Sequence, residues 1–361
     1  MLETITDPAA ESVADPSSFT CPAPMMVRDR IVLGHGSGGH LSAMLLRDVF
    51  LPLFSNPVLD RLDDQAVLEI GGARLAFTTD SFVVKPLFFP GGDIGSLAVH
   101  GTVNDLAMGG ATPLYISAAF IIEEGFPIET LRSLAASMSA AAAAAGVAIV
   151  TGDTKVVERG KGDGVFISTT GIGLVAPGVR LSANQARPGD VVILSGSIGD
   201  HGTAIMASRE GLEFETTIVS DSAALHLLVA EMLAVSDQVR CLRDPTRGGL
   251  SSTLNEIAEQ SKVSIAIEEK KIPVHDEVRG ACELLGLDPL YVANEGKLVA
   301  IVALEAAESV LSAMRRNPLG AEASIIGVVG DGSPGLVTMR TAFGSSRIVD
   351  LLPGDQLPRI C

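Results

Sequence analysis

Apolar and polar positions alternate along 65–70 and again along 74–79, with Gly71-Gly72 between them. This spacing predicts a β-hairpin closed by a two-residue turn. In that register Leu68 faces Leu75, Ala66 faces Phe77 and Glu69 pairs with Arg74, matching apolar with apolar and joining opposite charges. Helical spacing follows over about 93–108, with Asp93 as N-cap and Gly109 as stop, and over 127–145, with Pro127 in the first turn and Gly146 as stop. A buried strand at 147–150 feeds an expected loop, Thr151-Gly152-Asp153-Thr154-Lys155, and 162–174 holds another strand. Upstream, order begins near Arg30-Ile31-Val32-Leu33. A glycine cluster follows, Gly34-His35-Gly36-Ser37-Gly38-Gly39-His40, and then a helix at about 41–50.

The pattern breaks near 177–188 and restarts with a strand at 191–194, a Ser/Gly loop at 195–202 and a helix ending at Gly211. A helix after Asp244-Pro245 sets Leu250, Leu254 and Ile257 on one face. Helix 276–285, strand 297–302, helix 304–316 and strand 324–329 complete the second half. The expected organisation is an extension over 1–27, an N-terminal domain over 28–178, a C-terminal α/β domain over 188–349 and a mobile tail over 350–361. The early hairpin argues for mixed or antiparallel sheets rather than one doubly wound sheet.

Composition narrows the class. The 361 residues are 47% hydrophobic and 19% charged, enough apolar material for one large or two ordinary cores and too much for a disordered chain. The net charge of −17 and the absence of tryptophan argue against nucleic acid, whose phosphates demand clustered Lys and Arg and whose bases favour aromatic platforms. Cys21, Cys241, Cys282 and Cys361 show no CxxC spacing, which fits a reducing, cytoplasmic setting. The longest apolar run, 140–150, is too short to span a bilayer. The first residues lack the basic and apolar segments of a signal peptide.

The candidate chemistry begins with acids. Continuing the hairpin register sets Asp63 opposite Asp80, with Asp64 one step away, and like charges facing across a strand pair are destabilising. Asp105 lies near the C-terminus of helix 93–108, where the helix dipole disfavours it. A divalent cation such as Mg²⁺ resolves both conflicts. Asp153 follows a strand, and Asp244 caps a helix in the second half. Taken singly, each of these acids also reads as a cap or a solvated turn residue. The loop from Gly34 to Gly39 offers backbone N–H groups to phosphates but lacks the Lys-Ser/Thr ending of a P-loop. The glycines at 196, 199 and 202 do not make a dinucleotide fingerprint. The six histidines form no zinc motif; His100 and Asn104 share a helix face, and His100 reads as structural. The last residue is Cys361, on an extended stretch whose eleven steps from Asp350 reach at most about 35–40 Å. It reads either as a carried thiol or as an incidental one.

Leu62-Asp63-Asp64-Gln65-Ala66-Val67, Thr79-Asp80-Ser81, Asn104-Asp105-Leu106-Ala107-Met108-Gly109-Gly110 and Gly152-Asp153-Thr154-Lys155 resemble the ATP-binding superfamily of aminoimidazole ribonucleotide synthetase. Adding His35-Gly36-Ser37-Gly38-Gly39, Gly91-Gly92-Asp93-Ile94-Gly95, Arg243-Asp244-Pro245-Thr246-Arg247-Gly248-Gly249-Leu250, Asn294-Glu295-Gly296 and Pro358-Arg359-Ile360-Cys361, the chain resembles the HypE family of hydrogenase maturation factors, the carbamoyl dehydratases, from about residue 28 onward.

The resemblance implies a two-domain PurM-like fold of the α/β (α+β) class. Its N-terminal mixed sheet would form a β-barrel shared in a homodimer. It also implies that a carbamoyltransferase, HypF, loads Cys361, that ATP drives dehydration of the thiocarbamate to a thiocyanate, and that the cyano group passes to iron on a HypC–HypD complex for a [NiFe]-hydrogenase. Within it, Asp64, Asp80, Asp105 and Asp244 are the candidate Mg²⁺ ligands. Gly36, Ser37, Gly38, Gly39, Asn104, Asp153 and Thr154 are the candidate ATP-binding residues. Glu295 is the candidate base and Lys155 the candidate cation beside developing oxygen charge. A small-molecule kinase or synthetase of the same superfamily is the rival enzyme, but it needs no terminal thiol. A non-catalytic carrier is the rival of another class, and it has no use for the acids.

Overall fold

The computed structural model describes residues 30–209, 218–352 and 359–361. The expected extension 1–27, with Cys21, and the helix end at Gly211 lie outside the described residues. The chain divides into two compact units, Met1–Val32 and Leu33–Cys361. Of the first, only 30–32 are described, and they form no helix or strand.

In the second unit the helical segment begins with α1 (His40–Leu45), passes through a π-helical stretch (Leu46–Phe50) and ends with α2 (Leu51–Phe54), a turn longer than the sequence predicts. β1 (Ala66–Ile70) and β2 (Ala73–Phe82) form the expected hairpin. Leu68 faces Leu75, Ala66 faces Phe77 and Glu69 faces Arg74. The Glu69–Arg74 ion pair does not form. Arg74 donates instead to the carbonyls of Val179 at 2.6 Å and Ala176 at 3.3 Å, tying the hairpin to the connector between the halves.

A two-residue ribbon, β3 (Phe88–Phe89) with β4 (Gly92–Asp93), precedes α3 (Ile94–Met108). Asp93 caps α3 in a capping box with Ser96, satisfying backbone donors that the first turn leaves open. Then come β5 (Ala111–Glu123), α4 (Ile128–Ala144), β6 (Ala148–Val157) and β7 (Val165–Val175). The sheet order is β1-β2-β7-β5-β6. It is mixed, because β5 and β6 run parallel and the other pairs antiparallel.

Two expectations fail at β6. Gly152 to Lys155 continue the strand instead of forming a loop, and the strand is an exposed edge rather than a buried one. The misreading is physical: a run such as Ala-Ile-Val carries the same apolar signal whether the fold or a second molecule covers it.

The second sheet has the order β14-β13-β10-β12-β8-β11-β9. In chain order its half comprises β8 (Val191–Leu194), α5 (Asp200–Arg209), α6 (His226–Val235), β9 (Val239–Arg243), α7 (Gly249–Ser261), β10 (Ser264–Glu268), α8 (Asp276–Leu285), β11 (Val299–Val302), α9 (Ala307–Arg316), β12 (Ser324–Gly330), β13 (Val337–Arg340) and β14 (Ser346–Ile348). β8 explains the layering. Val192 and Leu194 point into a core with Leu250, Leu254 and Ile257 of α7, while Val191 and Ile193 point into one with Leu228 of α6 and Val310 of α9. A strand covered on both faces reads as continuous apolar sequence.

α3 is buried nearly all round. Val99 and Val103 pack in the N-terminal core, while Ala107 and Met108 join the C-terminal one. Side chains on this helix therefore face both halves. Among the described residues, no helix is long and apolar enough to cross a membrane.

Candidate active site

Five carboxylates from five segments meet where the halves join. Asp64 precedes β1, Asp80 lies on β2, Asp105 on α3, Asp244 between β9 and α7, and Glu295 ahead of β11. Asp63 does not join them. Pairing of β1 stops at Ala66, and Asp63 turns to accept from Ser182 Oγ at 2.8 Å and the Ala183 N–H at 3.0 Å, with Arg61 beside it at 3.0 Å.

Each of the five is held above the ordinary carboxylate range. For Asp105 burial is the main cause, followed by the charges of Asp244, Asp80 and Asp64. For Asp64 burial dominates, opposed by Arg243, whose Nε lies 3.1 Å from Oδ1. Asp80 is raised by burial against a bond from the Ser81 N–H and the charge of Arg247. Burial pushes Asp244 up to about 6. Glu295 is raised by burial and then by Asp244, Asp80 and Asp221. Such a cluster is unfavourable without positive charge. Asp64 Oδ2 and Glu295 Oε1 are buried without a hydrogen-bond partner, so unspent acceptor capacity faces the site. Among the described residues no three acidic, His or Cys side chains are already gathered at one ion-sized point. The oxygen-only donor set suits a hard cation that takes its remaining ligands from phosphate and water.

The glycine loop borders this cluster. Gly38, at φ +77°, has no room for a Cβ against the Arg247 backbone, and a Cβ on Gly39 would meet the Leu352 carbonyl at 2.5 Å. Gly36 has open space around it, and its carbonyl accepts from Arg247 Nη1 at 3.3 Å. Ser37 Oγ is turned back onto the Gly34 carbonyl at 2.8 Å.

Asn104 is 1% exposed. Its Nδ2 donates to the carbonyls of Ala223 at 3.0 Å and Glu295 at 3.2 Å, and its Oδ1 accepts from the Leu225 N–H at 2.8 Å. With its amide on backbone groups of both segments, Asn104 holds the Glu295 main chain in place. His100 meets Ser222 Oγ at 2.9 Å, a structural contact.

The end of the chain enters the same place. It does not hang free as an extended tail. Val83 donates its N–H to the main-chain carboxylate of Cys361 at 3.0 Å and Lys85 to the carbonyl of Arg359 at 3.2 Å, so the last residues run antiparallel to the stretch that follows β2. Ile360 is 3% exposed and packs in the core with Val278 and Ile205. The Cys361 thiol is pushed up to about 12 by burial, with Arg247 opposing and Glu295 and Asp80 assisting. Arg247, which the sequence displayed only as part of a motif, is the cation facing Cys361, Asp80 and Glu295. Lys155 and Asp153 pair with each other on exposed β6, and Thr154 follows them there. Asp80 pairs with Thr169, Thr169 with Ala118 and Ala118 with Gly152, so β6 lies three strand spacings, roughly 14 Å, across the sheet from β2.

Comparison with known proteins defines the class first. Residues 62–175 match the AIR synthase related protein N-terminal domain, and residues 187–339 match the C-terminal domain of the same family. The chain thus has the two-domain PurM-like α/β architecture. It is 61% identical over 327 residues to the carbamoyl dehydratase HypE of Azotobacter vinelandii, covering 91% of this chain and 96% of that protein. A solved HypE–HypF complex superposes with a TM-score of 0.82 at 51% identity, covering 85% of this chain and 99% of that one. HypE in complex with ATP gives 0.78 at 50% identity, covering 92% and 100%. The chain belongs to the carbamoyl dehydratase HypE family of hydrogenase maturation enzymes.

Proposed function

We propose that this chain uses ATP to dehydrate a carbamoyl group carried on Cys361 to a thiocyanate, the source of the cyano ligand on the iron of a [NiFe]-hydrogenase. The observation that carries the reading is the docking of Cys361 beside Glu295, Asp80 and Arg247. The carbamoyl oxygen attacks the γ-phosphorus and ADP leaves. Breaking the C–O bond then releases phosphate while the nitrogen gives up both protons, one going to phosphate and one to bulk, so that S–C(=O)NH₂ becomes S–C≡N.

Glu295 is the base for that nitrogen, and its raised affinity for protons suits the task. Arg247 offsets charge developing on the carbamoyl oxygen. The open face at Gly36 and the loop from Ser37 to Gly39 take the phosphates. Asp64, Asp80, Asp105 and Asp244 would hold Mg²⁺, which supplies charge neutralisation on the polyphosphate. Burial of Ile360, with Cys361 half-buried beside it, limits the access of water to an activated carbamoyl group.

The N-terminal sheet supplies the dimer half of the reading. Phe77, Ile172 and Tyr115 lie in one cross-strand row over β2, β7 and β5 and are 41%, 38% and 50% exposed. A second copy covers this row, closes the shared barrel and delivers Lys155, Asp153 and Thr154 on its own β6 to the neighbouring site. A HypF-type carbamoyltransferase loads the thiol, and a HypC–HypD-type complex accepts the cyano group.

Mass spectrometry of the carbamoylated chain with Mg-ATP tests the chemistry. The Cys361 peptide is expected to lose the mass of one water. Full carbamoyl loading without that loss overturns the reading.

A further inference from the structure

His201 has no part in the chemistry above, yet its fully buried imidazole reaches the end of the chain. Nε2 lies 2.7 Å from the Ile360 carbonyl and Nδ1 lies 2.7 Å from Ser220 Oγ. The carbonyl only accepts, so Nε2 carries the proton. Ser220 Oγ accepts from the Ser222 N–H at 3.1 Å and therefore directs its own proton to Nδ1. Ser220 is seated in turn by its N–H on the Pro90 carbonyl at 2.8 Å. Phe89 meets the ring edge-on, with centroids 5.5 Å apart. One tautomer and one ring orientation are thereby fixed.

The carbonyl so gripped belongs to the peptide joining Ile360 to Cys361. The Val83 N–H holds the main-chain carboxylate on the other side of Cys361. Those two bonds bracket the cysteine backbone and leave the thiol little freedom beyond its own side-chain torsion. Beside them stand the Ile360 side chain in the core and the Lys85 N–H on the Arg359 carbonyl at 3.2 Å. Arg359 pairs with Asp163 in a partly exposed contact, with the two side chains 29% and 34% accessible, where water competes. Its backbone also sits in the left-handed region at φ +58°, which favours release rather than docking.

We propose that His201 is a positioning residue that clamps the Ile360 carbonyl and so holds the Cys361 thiol in the site. The proposal rests on the reading of Cys361 as the carried thiol for its purpose, but not for its test. Without the clamp the tail spends more time outside, where the thiol is both accessible and more readily ionised.

The test is alkylation of the full-length chain by iodoacetamide, followed at each cysteine peptide by mass spectrometry. In H201L the rate at Cys361 is expected to rise about tenfold, the factor that loss of one buried hydrogen bond corresponds to, while buried Cys241 and Cys282 stay unreactive. H201Q, whose Nε2 donates from nearly the same place, is expected to return the rate to within about threefold of wild type. Should H201L fail to fold, S220A keeps the ring, frees its orientation and is expected to raise the Cys361 rate about threefold. An unchanged Cys361 rate, an equal rise at Cys361, Cys241 and Cys282, or no rescue by Gln overturns the clamp. Loss of the dehydration reading with this alkylation pattern intact removes the function and leaves the clamp.

Discussion

The side-chain amide of Asn104, on the helix of the N-terminal half, donates to the carbonyl of Glu295, in the C-terminal half, at 3.2 Å. The candidate base is thus set by a residue from the other side of the domain junction. Asn104→Ala leaves the Ala223 and Glu295 carbonyls and the Leu225 N–H without this partner. Buried groups so stranded cost about 1–3 kcal/mol, which urea denaturation will read as a lower midpoint. Turnover is expected to fall while the KM for ATP changes little, because the base loosens and the glycine loop does not. A KM rise without a turnover loss would return Asn104 to nucleotide contact.

Glu295→Gln keeps the size of the side chain and removes the base. Dehydration is expected to slow by about a hundredfold to ten-thousandfold, the range general bases supply. Carbamoyl loading of Cys361 should proceed as before. Single-turnover mass spectrometry separates the two steps.

Asp244 gives a pH signature. Its carboxyl is raised from 3.8 to about 6 in the folded chain, chiefly by burial. Between those values the native state keeps a proton that the unfolded chain has released. Stability therefore falls as pH rises through this window, and the loss is complete above it. The contribution is about 3 kcal/mol. In chelator, Asp244→Asn is expected to be more stable than wild type at neutral pH and to lose that advantage below about pH 4. Guanidinium titrations of both chains across the window measure the difference.

Local signals carried part of this fold. The Gly71-Gly72 turn fixes a register, so the pairing of Leu68 with Leu75 was legible, and Asp93 with Gly109 bounded α3 on both sides. Arg74 was not legible, because the carbonyls it chooses, Ala176 and Val179, lie a hundred residues on. β6 was misread because an apolar run gives the same signal on an exposed edge as in a buried strand.

The site follows the same rule. Asp64, Asp80 and Asp105 stood out because each sits where local rules disfavour a charge. Arg247 and His201 obey local rules and acquire meaning only when the last residues fold back along the stretch that follows β2. Asp63 looked equivalent to Asp64 until Ser182 and Ala183 turned it aside.

The row of Phe77, Ile172 and Tyr115 makes the last prediction. Exposed apolar side chains in register across three strands are the surface that a second copy would bury in the proposed dimer. Ile172→Glu puts a charge at the centre of that row, and light scattering is expected to show the mass halved while circular dichroism stays unchanged. If β6 of the partner completes each site, chains mutated at different places should complement. Lys155→Ala and Cys361→Ala are each expected to be inactive alone. Mixed and allowed to exchange, they form dimers in which one site pairs an intact Cys361 with an intact Lys155, restoring roughly a quarter of wild-type dehydration. If Lys155 instead served the thiol of its own chain, no mixed site would hold both groups, and the mixture would stay as inactive as its parts.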